Sequence, residues 1–251
     1  MMTIGIICAM DEEIELLTQD MQSEQVQTIA GRNFYIGTLY GKQTVLVKSH
    51  IGKVAAALTA SLLIDHFCVG SIIFSGTAGG IDPTLHVGDA VIGDLTCQHD
   101  FKVPGDPLFQ IPVLKKSYLE SDCTLTQLAF EAVNDYILHE MLLDIPEKHL
   151  KAFHIQTPKA VIGTIASGDE FICDKEKNQW LYEHVQNIKC VEMEGAAVAQ
   201  VCYEFQIPFA IIRIISDGAN DDTHIDFDLF IEEAARYFTK GAIKTLLNKL
   251  S

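Results

Sequence analysis

Arginine is scarce in this chain: Arg32, Arg213 and Arg236 are the only three in 251 residues. Basic residues as a whole are outnumbered, 18 against 34 acidic, for a net charge of −16. Such a balance repels phosphate backbones and anionic lipid surfaces, so neither nucleic acid nor a membrane is expected as a partner. No apolar run approaches the roughly 18 residues that a spanning helix requires. The seven cysteines (Cys8, Cys68, Cys97, Cys123, Cys173, Cys190 and Cys202) are odd in number and contain no C-x-x-C pair. Cys8, Cys190 and Cys202 sit in apolar runs, where reduced thiols pack well, which argues against a disulfide framework. No basic leader precedes the first apolar run, and Asp11, Glu12 and Glu13 come too early for a secretory signal, so the expected location is the cytoplasm. The histidines form no ligand cluster: His99, beside Asp100, and His224 read as isolated hydrogen-bonded residues. No metal is expected. A phosphate-binding signature is missing too, since Gly76-Thr77-Ala78-Gly79-Gly80 is neither GxxxxGK[ST] nor GxGxxG.

What is present is an ordinary globular composition, 48% hydrophobic and 21% charged, over a length suited to one domain spanning residues 1–251. Thr3 to Ala9 reads as a strand that leads directly into an acidic helix start at Asp11. Two strand-like runs, Asn33 to Tyr40 and Thr44 to Ser49, flank Gly41-Lys42 as a hairpin. Gly52 opens an Ala/Leu-rich helix, and Ser71 to Ser75 forms a buried strand that ends in the glycine-rich turn at 76–80. Val87 to Leu95 is a further strand. Cys97 to Ser117, with Pro104, Pro107 and Pro112, is a long loop of the kind recruited as a lid or an interface. Leu125 to Met141 has helical spacing, as do Asp174 to Val185 and the C-terminal stretch from Phe227 to Leu246. Strands are expected at Lys159 to Ala166 and at Phe209 to Asp217. Helices alternate with near-continuous apolar strands, which predicts a three-layer α/β/α fold around a mostly parallel or mixed sheet.

Cys190-Val191-Glu192-Met193-Glu194-Gly195 places two carboxylates at the entry to an apolar helix, Ala196 to Val201. On a strand, alternate residues share a face, so Glu192 and Glu194 would project together about 7 Å apart. An isolated E-x-E reads first as an exposed edge. Here the following helix has little polar face, which draws the pair inward, where it needs a cation, a set of hydroxyls or the positive end of the helix at Gly195. A sugar diol would also satisfy it.

In parallel α/β sheets, ligands bind beyond the carboxyl ends of the strands. Glu13, the Thr77 loop, Glu194 and Asp217 all follow directly on such ends. Asp217 closes one of the most apolar strands, a place where a carboxylic acid can keep a proton for a leaving group. Arg213 shares its face and is read either as part of the site or as a structural ion pair with Asp217 or Glu192. Cleavage of an N-glycosidic bond needs an acid at the base, a general base for water and negative charge near a cationic sugar. Asp217, Glu13 and Glu194 suit those tasks in that order.

The runs GIICAMDEEIELL, SHIGKVAAA, SGTAGGI, VGDAVIGD, ASGDEFI, VEMEGAAVAQV and RIISDGA resemble the 5′-methylthioadenosine/S-adenosylhomocysteine nucleosidases of the nucleoside phosphorylase superfamily, in that family's order and over nearly the whole chain. The resemblance implies irreversible hydrolysis of the adenine N-glycosidic bond by a homodimer without a cofactor. It makes Glu13 the base that activates water, Asp217 the acid at adenine N7, and Glu194 the ligand of the ribose hydroxyls, with the Met193 backbone nearby. Ile172 would present backbone polar groups to adenine beside a stacking Phe171, and Met10, Ile51 and Phe227 would wall the sugar and its 5′ substituent. Thr77, Ala78 and Gly79 would lie near the ribose and the water, and Glu192, Arg213 and Ser216 join the substrate-binding set. Two departures stand out. Thr77 occupies a position where serine is usual, and the 101–118 loop, which in the family often closes the neighbouring subunit's 5′ pocket, lacks the aromatic FGY that commonly follows the HD pair, leaving Phe109, Ile111 and Pro112 as candidate caps for that pocket.

Three other readings remain open at this stage: a purine nucleoside phosphorylase, an aminodeoxyfutalosine nucleosidase and a non-catalytic nucleoside-binding protein. A phosphorylase would want arginines for its phosphate, of which this chain has only three, and a silent binding protein would need only the pocket walls and not the three carboxylates.

Overall fold

The computed structural model describes residues 2–218 and 227–250. In chain order they form β1 (Ile4–Cys8), α1 (Asp11–Asp20), β2 (Gln22–Ile29), β3 (Arg32–Leu39), β4 (Lys42–Lys48), α2 (Lys53–Asp65), β5 (Ser71–Gly80) and β6 (Ala90–Gln98). After the short β7 (Leu119–Glu120) come α3 (Cys123–His139), α4 (Met141–Asp144), α5 (Glu147–Ala152) and β8 (Ala160–Ser167). Then follow α6 (Lys175–His184), β9 (Ile188–Glu192), α7 (Gly195–Phe205) and β10 (Phe209–Asp217), while α8 (Phe227–Phe230) runs through a π-helical turn at Ile231–Ala235 into α9 (Arg236–Lys249).

The strands make one ten-stranded mixed sheet in the order β10-β6-β8-β9-β5-β1-β4-β3-β2, with β7 on β6. Side-chain alternation divides the core into layers. Ile4, Ile6 and Cys8 of β1 point into a cluster with Leu17 of α1, Val133 of α3 and Phe238 of α9, whereas Ile7 points into another with Ala60 of α2 and Val198 of α7. Both faces of the central strands are therefore covered, which explains their unbroken apolar sequences. The expected three-layer α/β/α architecture is present.

One feature goes beyond that expectation. β10 pairs with β5 as well as with β6, and β9 pairs with both β8 and β5, so β5, β10, β6, β8 and β9 close into a ring. Periodicity within a strand carries no information about this closure. It also corrects the reading of 76–80 as a turn: Gly76 to Gly79 pair with β10, and Gly79 and Gly80 with β9, so the glycines continue β5. They are needed for close approach. A Cβ on Gly76 would lie 3.0 Å from Glu13 Oε1, and one on Gly80 3.3 Å from Ile215 Cγ2.

Other boundaries moved as well. β6 begins at Ala90 and reaches Gln98, three residues later at each end than the expected 87–95. β2 was not expected because its sequence, QSEQVQTI, is polar and mostly exposed, an edge strand without apolar alternation. α4 and α5 were too short to show a period.

Candidate active site

Residues at the ends of β1, β8, β9 and β10, from within β5 and from the turn before α2 meet around one cleft that opens to solvent. Its lining includes Met10, Glu13, Ile51, Thr77, Ala78, Gly79, Phe171, Ile172, Glu192, Met193, Glu194, Arg213, Ser216 and Asp217, so the candidates from distant parts of the sequence converge. The side chain of Phe227 lies outside the described residues, as does His224. Ala9, Gly76, Glu170 and Val191 also line the cleft and were not singled out, although each adjoins a residue that was.

Glu13 sits in the first turn of α1, where the N-terminal amides favour an anion. Its Oε2 accepts from the backbone N–H groups of Ala9 at 2.8 Å and Met10 at 3.1 Å. Oε1 accepts from Thr77 N–H at 3.1 Å and from Thr77 Oγ1 at 3.4 Å. The threonine hydroxyl thus reaches the carboxylate as a serine would. Glu13 is 1% exposed, and burial raises its pKa above the ordinary carboxylate value despite the opposing pull of Arg213 and the three amides. It is therefore a stronger base than a solvated glutamate.

The E-x-E pair departs from the geometry expected of it. β9 ends at Glu192, and Glu194, the N-cap of α7, has φ −139° and ψ −40°, so the two carboxylates are not alternate residues of one strand. Glu192 turns toward the helix end and Arg213. Its Oε2 accepts from Arg213 Nη2 at 2.6 Å, Gly195 N–H at 2.7 Å and Glu194 N–H at 3.1 Å, while Oε1 accepts from Ser167 Oγ. With both oxygens engaged in this way, Glu192 frames the site while still lining the cleft. Arg213 likewise takes the structural alternative. Only 1% exposed, it donates to Glu192, Phe74 O and Ile212 O, and its guanidinium lies 4.1 Å from the Phe74 ring centroid. Burial works against its charge, but Glu192, Glu194 and Glu13 together hold its pKa above the ordinary value.

Glu194 is left to the cleft. Its Oε1 accepts from Gly52 N–H at 2.8 Å, at the start of α2. Burial first, and the neighbouring Glu192 second, push its pKa up to about 8. The folded state therefore favours its protonated form. The contribution to stability is fully present below the ordinary value of 4.5 and is lost as the pH rises through about 8. The ligand-free protein is expected to melt at a lower temperature at pH about 8.5 than at about 5.5, and Glu194→Gln is expected to flatten that slope. Thermal melts at both pH values check this; an unchanged slope in the variant would remove Glu194 as its source.

Asp217 ends β10, where the pairing with β5 slips: Ile215 faces Ala78 but Asp217 faces Gly79. Such a bulge re-aims the side chain that follows it, so simple alternation from Arg213 does not carry through to Asp217. Ser216 Oγ lies 2.8 Å from Asp217 Oδ2 and 3.3 Å from Ala78 O. At the rim, Ile51 is 58% and Phe171 57% exposed, while Ile172 is buried. The proposed caps differ from expectation: Phe109 and Ile111 are buried in the core, Phe109 beside Trp180 with ring centroids 6.1 Å apart, and of the three only Pro112 is exposed. Phe109 and Ile111 thus anchor the loop, while Leu108, Pro112 and Val113 stay exposed on it. Among the described residues no group of three His, Cys, Asp or Glu side chains could hold a metal ion, and no helix is long and apolar enough to cross a membrane.

A strand-end cleft with converging carboxylates on this sheet defines a class, and the family model of the phosphorylase superfamily matches residues 3–247. A 5′-methylthioadenosine/S-adenosylhomocysteine nucleosidase from Lysinibacillus sphaericus is 39% identical over 98% of this chain and 99% of its own length. The Neisseria meningitidis nucleosidase of that name, solved in complex with methylthio-immucillin-A, superimposes with a TM-score of 0.82 at 33% identity, covering 100% of both chains. The futalosine hydrolase of Helicobacter pylori gives 0.83 at 32% identity, covering 99% of this chain and 98% of its own. Within the phosphorylase superfamily, the chain belongs to the 5′-methylthioadenosine/S-adenosylhomocysteine nucleosidase family.

Proposed function

We propose that this protein hydrolyses the N-glycosidic bond of 5′-methylthioadenosine and S-adenosylhomocysteine, releasing adenine and the 5-thio-substituted ribose. The observation that carries the reading is the convergence of Glu13, Glu194 and Asp217 on one cleft from three separate strand ends. In the reaction, the bond from C1′ to adenine N9 breaks as Asp217 delivers a proton to N7, so the base leaves neutral. Positive charge develops on the sugar, beside Glu194 and Glu13. Water adds to C1′, and Glu13 takes its proton; its raised basicity suits that task. Glu194, held by Gly52 N–H, is placed to accept from the ribose hydroxyls. Met10 and Ile51 wall the sugar side, and Phe171 offers a face to the purine, with Ile172 behind it. We assign Met193, Thr77, Ala78, Gly79 and Ser216 to the contacts around ribose and water, Phe227 to the 5′ wall, and residues 1–251 to a single nucleosidase domain. The proposed setting is a cytoplasmic homodimer acting in methionine salvage and nucleoside catabolism.

Phosphorolysis is disfavoured by charge. The only arginine lining the cleft is Arg213, already bound to Glu192, so no free guanidinium is placed to hold a phosphate acceptor. The experiment is a chromatographic assay of methylthioadenosine, S-adenosylhomocysteine, 5′-deoxyadenosine, aminodeoxyfutalosine and inosine, each with and without phosphate. Adenine release that is independent of phosphate is expected from the first two. Turnover lost in phosphate-free buffer would overturn hydrolysis, and intact ligand after prolonged incubation would leave a binding protein. The likeness to a futalosine hydrolase is the reason for including the fourth nucleoside.

A further inference from the structure

Three segments that flank the cleft are tied to one another by a closed ring of polar contacts. Lys53 N–H donates to Asp169 Oδ1 at 2.8 Å, Asp169 N–H donates to Asp100 Oδ2 at 3.0 Å, and Lys53 Nζ donates to Asp100 Oδ1 at 2.5 Å. Lys53 opens α2, Asp100 follows β6 and Asp169 follows β8. These residues are far apart in sequence and none of them lines the cleft itself.

The neighbours of the ring do line it. Ile51 lies two residues before Lys53, and Glu170, Phe171 and Ile172 follow Asp169 directly. Between Ile51 and Lys53, Gly52 has φ +99° and donates its N–H to Glu194, so the turn that starts α2 holds a site carboxylate on one side and the ring on the other. A second contact fixes the same loop: the His99 ring packs on Gly168 so closely that a Cβ there would lie 2.4 Å from it.

An exposed ion pair alone contributes little. Here the Lys53 and Asp100 side chains retain only 14% and 27% of their exposure, and each member of the ring is bound to the other two. The same Asp169 carboxylate satisfies one of the orphan amides at the start of α2. Opening the ring would remove the direct tie between the two walls, and neither residues 51–52 nor the 168–172 loop belongs to a strand or helix that would replace it.

We propose that Asp100, Lys53 and Asp169 are positioning residues that hold the Ile51 wall and the Phe171 wall at the separation that clamps the nucleoside. They act on ground-state binding through those walls and not on the bond-breaking step. The proposal rests on the nucleosidase reading above. Wild-type protein that neither releases nor binds adenine would sink that reading, whereas the variants below test the ring.

Asp100→Ala is expected to raise KM for methylthioadenosine about tenfold or more, and to weaken adenine binding measured by calorimetry by a similar factor, with kcat within about threefold of wild type. A residue that served only folding would instead lower kcat, through the active fraction, at unchanged KM. Asp169→Asn, which keeps an oxygen for the Lys53 N–H, is expected to restore most of the KM lost in Asp169→Ala. If Asp100→Ala does not fold, Lys53→Met and Asp100→Asn carry the test, because combining them is expected to be no worse than the more severe single change. A KM and an adenine Kd within about twofold of wild type in the single variants, or strictly additive effects in the double variant, would overturn the ring.

Discussion

Asp217→Asn is expected to slow adenine release by at least about a hundredfold while nucleoside binding stays within a few fold. The substitution keeps the shape of the side chain and a partner for Ser216 Oγ, 2.8 Å away, so the end of β10 has no reason to move. What it removes is a proton donor. Adenine leaves poorly as an anion, and without protonation at N7 the whole of that charge must be carried in the transition state. Steady-state rates set beside a directly measured Kd check the expectation: loss in kcat with Kd preserved identifies an interaction made only in the transition state. A kcat near wild type would take Asp217 out of the scheme.

The reason a bulge precedes Asp217 bears on what the sequence reveals. The apolar run Phe209 to Ile215 makes β10 legible, and so does the carboxylate at its end. The slip at Ser216 arises in the pairing of β10 with β5, strands remote from each other in sequence. β1 and α1 were legible for a related reason: an apolar strand followed at once by acidic residues is a local pattern, and Glu13 stands where that pattern ends. The pairing of Glu192 with Arg213 was open to sequence reading only as one of two alternatives, because a carboxylate and a guanidinium on buried elements can each face a ligand or each other. Which of these holds depends on β9 stopping at Glu192, so that the carboxylate swings onto the α7 amides. The Asp100 ring shows the same limit. His99 beside Asp100 reads as an isolated case in sequence, and the partners of Asp100, Lys53 and Asp169, can be assigned only once α2 and the end of β8 are seen to meet.

Arg213→Met is expected to cost about 3–5 kcal/mol of stability, the range for breaking a buried ion pair by removing one partner. Methionine can still cover Phe74, so packing accounts for only part of the loss. The larger part is electrostatic. Glu192, whose side chain is 2% exposed, would lose its 2.6 Å cationic partner while Glu194 and Glu13 remain nearby. Two helix amides and Ser167 would still bind it, but they carry no full positive charge to offset three carboxylates. For a chain of this size the loss corresponds to a fall in melting temperature of roughly 6–20 °C, at about 2–4 °C per kcal/mol. Adding Glu192→Gln to Arg213→Met is expected to recover part of that fall, since the uncompensated charge disappears with its partner. The same comparison separates charge from shape. If the double variant melts no higher than Arg213→Met alone, the guanidinium stabilises the site by filling space, and the counter-ion account of the buried carboxylates is wrong.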